Sequence, residues 1–78
     1  MKVWVVVYDN KYGADCMAFD SLEKARAQRV HIANSYWDKD MPSEAVKPED
    51  AEIMADAYFD YVRDFLGETL SICEYTVK

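Results

Sequence analysis

The chain predicts a single α+β domain in ββααβ order, with a three-stranded antiparallel sheet packed by two helices. Three observations carry that expectation. Two short β-branched and aromatic segments open the chain with turn chemistry between them; two later stretches repeat apolar residues at helical spacing; a β-branched segment closes it. Its 78 residues hold one domain, and 51% of them are hydrophobic while glycine and proline number only two each. That composition excludes collagen-like, low-complexity and disordered chains, which carry far fewer bulky apolar residues.

The first strand is expected over residues 2–8. Val3, Val5 and Val7 share one face and Trp4, Val6 and Tyr8 the other, so the strand is apolar on both sides and should sit centrally in its sheet or be covered on both faces. Asp9, Asn10, Lys11, Tyr12 and Gly13 supply a turn, and a second strand over 13–19 completes a hairpin. Asp20 with Glu23 three residues on reads as a capping box that starts a helix over 21–37. At 100° per residue, Leu22, Ala25, Ile32, Ala33, Tyr36 and Trp37 gather on one side of it. Arg26 and Arg29 fall inside that same arc. Two readings stay open for them: stems packed with the guanidinium groups reaching water, or an ion pair to an acid elsewhere in the fold.

Residues 38–48, with Pro42 and Pro48 and little periodicity, read as an acidic connecting loop, with a short helical turn near Ser43–Val46. A second helix is expected over 49–66. Its apolar pairs are Ile53 and Met54, Ala57 and Tyr58, Tyr61 and Val62, and Phe65 and Leu66, with Gly67 at the position that ends it. Residues 69–77 form the last strand.

The inventory for catalysis is poor. There is one histidine, His31, placed opposite the apolar arc, and the two glycines are far apart, so no phosphate loop exists. The serines lack an elbow or triad context, and a domain this small has little room for the pocket that paired carboxylates need. Cys16 and Cys73 form no CxxC pair, so neither metal nor cofactor is expected, and both thiols read as buried small hydrophobes. No apolar run approaches a membrane span and no signal-peptide pattern is present, so a cytoplasmic location is expected. The formal net charge of −6 argues against direct nucleic-acid or membrane-surface binding.

The placement of that charge is informative. Residues 1–37 carry four acids and five bases; residues 38–68 carry ten acids against Lys39, Lys47 and Arg63. The candidate partner-binding residues are therefore Asp38, Asp40 and Glu44 in the loop, and Glu49, Asp50, Glu52, Asp56, Asp60 and Asp64 in the second helix. Four of them, Glu52 to Asp64, recur every four residues, where like charges repel. One account is a solvated face that maintains solubility. The other starts from distance: four helical residues rise about 6 Å, close to the roughly 6–7 Å between successive phosphates of a nucleic-acid strand. Such a row can occupy Lys/Arg sites that hold a phosphate backbone; Tyr36, Trp37, Tyr58 and Tyr61 near it could anchor the contact, although most of them are needed for the core.

The opening Lys2, Val3, Trp4, Val5, Val6, Val7, Tyr8, with Tyr12 and Gly13 and the Ser21, Leu22, Glu23, Lys24 helix start, is similar in style to small phage proteins. The acidic second half resembles the anti-CRISPR inhibitors that act as DNA mimics. The resemblance is one of size, charge and texture and carries over no residue. It implies a non-enzymatic inhibitor of a CRISPR surveillance complex, acting where target DNA or its PAM enters. The expected partner is thus a basic nucleic-acid-binding protein or CRISPR effector subunit, met by a monomer or weak homodimer in the host cytoplasm. The alternative is a small protein-interaction module, or a homodimeric regulator, built on the strand face around Trp4 and Tyr8.

Overall fold

A computed structural model describes Met1–Lys78, in the order β1 (Lys2–Asn10), β2 (Gly13–Phe19), α1 (Leu22–Asp40), α2 (Ala51–Leu66) and β3 (Thr69–Thr76). The sheet order is β2-β1-β3, both pairings antiparallel, so the doubly apolar strand is central, the first of the two arrangements its sequence allows. Val6 pairs with Met17 on one side and Ile72 on the other; Tyr8 pairs with Asp15 and Leu70. The α+β fold in ββααβ order is the one the sequence predicts. No helix is long and apolar enough to cross a membrane.

Both helices pack on the face that carries Val6 and Tyr8, which are buried, while Val3, Val5 and Val7 on the other face stay half-buried. This corrects the expectation of an exposed face around Trp4 and Tyr8. The open face is that of the three valines, flanked by Cys16 and Ala18 on β2 and Cys73 on β3. Cys16 is exposed and Cys73 half-buried, so neither is the buried hydrophobe expected of it. The core is Tyr8, Ile32, Ala33, Trp37, Met54, Ala55, Tyr58, Phe59 and Val62. Tyr58 and Phe59 meet edge-to-face at 5.0 Å, and Ala33 and Ala55, fully buried, leave no bulk between the helices.

The helix ends move relative to expectation. Ser21, not Asp20, caps α1, accepting from Lys24 N–H at 3.2 Å. Asp20 instead pairs with the Lys24 ammonium at 2.8 Å, whose hydrogen bond and charge hold its carboxyl below the usual range. α1 then runs three residues past Trp37. Its end is dictated by Pro42, which forces Met41 out of helical conformation, rather than by the charged composition that begins at Asp38. Asp38 and Asp40 are therefore helical, and the connecting segment begins at Met41. It contains a tight turn closed by Ala45 N–H to Pro42 C=O at 3.0 Å. α2 starts at Ala51 with Asp50 as its cap (Ile53 N–H to Asp50 Oδ1, 3.0 Å), which leaves Glu49 outside the helix.

Gly67 ends α2 at φ +70°, a left-handed conformation that costs glycine little. Its turn lets Glu68 N–H reach back to Val62 C=O at 3.1 Å and brings the Glu68 side chain beneath the sheet.

Candidate functional site

The helical pairs of α2 do not all face inward. Met54, Ala55, Tyr58, Phe59 and Val62 are buried; Ile53 is 59% exposed, Phe65 71%, and Leu66 is exposed as well. Ile53 falls off the inward stripe, which turns toward Ala55 and Phe59 where α1 lies and Arg29 covers the Phe59 ring at 5.3 Å; Phe65 and Leu66 share the angular positions of Tyr58 and Phe59 but lie in the last turn, past the buried run. Two rows wind side by side along α2. Glu52, Asp56, Asp60 and Asp64 form one; Ile53, Ala57, Tyr61 and Phe65, each one residue on, form the other. Tyr61 and Phe65 stack with centroids 4.7 Å apart.

All four carboxylates of the row are exposed, as a partner-binding or a solvating row would be. They are not free of counter-charge. Arg29 on α1 reaches Asp56 at 2.6 Å and Glu52 at 3.4 Å; Arg63 lies 3.2 Å from Asp64 and 3.6 Å from Asp60. Of the two readings left open for Arg29, the ion pair is the one found. The row also winds: each step of four residues advances about 40° around the axis, so its ends lie about 120° apart rather than in one line. Glu52 and Asp56 turn toward α1, while Asp60 and Asp64 move onto the open face beside Tyr61. With Glu49 and Asp50, this surface holds six acids and two arginines, a net of −4.

The other candidate residues divide. Asp50 is engaged as a cap, and Glu44 accepts from Ser43 at 3.2 Å in the connecting turn. Asp40 accepts the Tyr58 hydroxyl at 2.5 Å, so it supports the core. Asp38 is exposed on the last turn of α1. Among the proposed anchors, Trp37 and Tyr58 are core residues, Tyr61 is half-buried beside the acids, and Tyr36 is exposed elsewhere, on α1.

Sequence reasoning missed a second polar group. At the end of the sheet the Tyr8 hydroxyl donates to Glu68 Oε1 at 3.1 Å, and Glu68 is only 3% exposed. Burial, then the adjacent Glu68 charge, pushes the Tyr8 hydroxyl up to about 12; burial and the bond to Asp40 raise that of Tyr58 as well. No sequence signal marks Glu68, since its burial follows from the Gly67 turn and the position of β1, 60 residues away. No group of three or more His, Cys, Asp or Glu side chains converges as metal ligands would. His31 is exposed, as expected of it. Compared with models of known protein families, with curated proteins and with solved structures, the chain finds no match in any of the three.

Proposed function

We propose that the chain is a non-catalytic binding protein that docks the outer face of α2 on a basic, nucleic-acid-binding protein and competes with its nucleic acid. A CRISPR surveillance complex is the partner class that the resemblance to DNA-mimic inhibitors implies. The observation that supports this reading is the pairing of the two rows. A face that served solubility alone would carry acids without a parallel line of exposed Ile53 and Phe65 and half-exposed Tyr61. Acids beside stacked aromatics have the composition of an interface: charge guides encounter and register, and the aromatics contribute contact area. Arg29 and Arg63 neutralise part of the row, and a net −4 persists on this surface.

The test is displacement of target DNA from a purified CRISPR surveillance complex, at low and moderate salt. Wild-type chain displaces DNA, less well as salt rises. Asp60→Lys with Asp64→Lys, and separately Phe65→Ala, reduce displacement by about tenfold or more with the fold intact, because these side chains are exposed. DNA affinity unchanged by a stoichiometric excess at low salt removes the CRISPR reading. Full activity of both folded variants removes the α2 face.

A second reading has its own observation, the uncovered valine face of β1. There the chain is an interaction module or homodimer formed through Val3, Val5 and Val7, and the acids only solubilise. A sedimentation mass of twice the monomer, abolished by Val5→Lys, favours it over docking through α2.

A further inference from the structure

Between the β1–β2 turn and the last turn of α1 lies a cleft of about 110 Å³. Tyr8, Tyr12 and Tyr36 supply its aromatic lining, and Asp15, Asp40 and Glu68 its carboxylates. Small-molecule pockets commonly occupy roughly 300–1,000 Å³, so this volume admits a side-chain head group rather than a metabolite. Glu68 is the informative member. It is 3% exposed, yet only its Oε1 is engaged, by the neutral Tyr8 hydroxyl. Oε2 accepts no hydrogen bond, and since no fully buried side-chain oxygen lacks a partner, Oε2 keeps some access to solvent on a residue that lines the cleft.

No cation of the chain pairs with Glu68, Asp40 or Asp15, although Lys11 and Lys39 stand at the rim. Those ammonium groups sit instead over the tyrosines, Lys11 Nζ 5.4 Å from the Tyr12 centroid and Lys39 Nζ 5.9 Å from that of Tyr36. Two walls of the cleft thus already hold a cation on an aromatic face, and the carboxylate at its floor has none. A buried carboxylate with one neutral donor gains from a charge-assisted partner, and aromatic rings around it favour a diffuse cation.

We propose that this cleft receives the cationic head group of an arginine side chain from a partner protein, with Glu68 accepting the guanidinium and Tyr12 and Tyr36 enclosing it. Arginine fits better than lysine because a planar guanidinium can bond Oε2 while stacking on a ring. The entering group takes the place of the rim lysines over the tyrosines. The site is separate from the acidic row of α2 and stands whether or not docking through α2 holds.

The probe is N-acetyl-arginine amide, titrated to about 20 mM against the 15N-labelled chain, enough to approach saturation of a millimolar site. N-acetyl-citrulline amide, with matched added salt, is the uncharged control. Saturable shifts confined to the amides of Tyr8, Tyr12, Tyr36, Asp40 and Glu68, absent with citrulline, are the expected result. Glu68→Gln keeps an acceptor for Tyr8 and should weaken binding by about tenfold or more. Tyr12→Ser alters only an exposed turn residue, so it decides the matter if Glu68→Gln fails to fold; a several-fold loss is expected. Lys11→Gln with Lys39→Gln removes the competing cations and should tighten binding several-fold. Equal shifts with citrulline, unchanged affinity in folded Glu68→Gln, or weaker binding in the double lysine variant each overturn the proposal.

Discussion

Arg29 of α1 and Asp56 of α2 meet at 2.6 Å, and the same guanidinium lies over the Phe59 ring and 3.4 Å from Glu52. One side chain therefore joins the helices, covers a core aromatic and partly neutralises the first half of the acidic row. Its own side chain is only 19% exposed, whereas both carboxylates are well exposed. Most of its contribution accordingly comes from packing and the ring contact, since exposed ion pairs add only tenths of a kcal/mol.

Arg29→Ala should lower stability by about 1–2 kcal/mol, the loss of a packed stem and of a cation–π contact. For a domain of this size that is a Tm decrease of roughly 4–16 °C by circular dichroism. Binding to a basic partner through α2 should persist or strengthen, because two carboxylates are released. A Tm within about 2 °C of wild type would show that Arg29 is a surface residue only.

At Asp56 the sign of a charge reversal is inverted by the neighbouring helix. Taken as an isolated helix, each lysine placed in the row relieves repulsion and adds roughly 0.2–0.5 kcal/mol. In the fold Asp56→Lys sets two cations against each other at Arg29 and should cost about 0.5–1 kcal/mol. Asp60→Gln, which leaves Arg63 its contact with Asp64, should change stability by less than about 0.5 kcal/mol. Urea midpoints for the two variants test the contrast; stabilisation by Asp56→Lys would contradict it.

Tyr8 and Tyr58 make the fold sensitive to alkali. Both hydroxyls are neutral donors in the native state with pKa values raised, that of Tyr8 to about 12, against about 10 for an unfolded tyrosine. Their contribution is complete below pH ~10 and is lost as pH climbs from ~10 toward ~12, because the unfolded chain releases those protons first. Absorbance near 295 nm should show the ionisation of Tyr8 and Tyr58 held back until the chain unfolds. Tyr8→Phe removes one of the two groups, so the stability lost over that interval should be smaller. Ionisation of Tyr8 and Tyr58 near pH ~10 in the still-folded chain would exclude the protection.

Tyr58→Phe deletes the donor to the half-buried Asp40 and should cost about 1–2 kcal/mol. Gly67→Ala should cost about 1 kcal/mol through its left-handed φ, since no atom lies within 4 Å of the added Cβ. Gly67→Asn should be milder, asparagine tolerating that region better. Thermal melts rank the three variants, and equal stability of Gly67→Ala and wild type would show that the cap is dispensable.

The order of elements, the central place of β1, the hairpin at Gly13 and the stop at Gly67 were determined by the chain locally. Each depends on residues within a few positions: β-branched runs, a two-residue turn, a glycine free to take positive φ. The acidic bias of α2 was equally plain from composition and spacing. Which side of a helix faces the core was not local. Ala55 and Phe59 turn inward and Ile53 outward because α1 with Arg29 approaches from one side, and helical periodicity does not specify that direction; Phe65 is exposed because it lies in the last turn, past the buried run. Sheet faces follow the same rule. Trp4, Val6 and Tyr8 look as apolar as Val3, Val5 and Val7, and only the packing of the helices chooses between them. The fates of individual carboxylates were decided by tertiary contact alone. Glu68 is buried under Tyr8, Asp40 is held by Tyr58 and Asp56 by Arg29, each through a partner at least 18 residues away. Charge is a property of the residue, but its compensation depends on what the fold brings within a few ångströms.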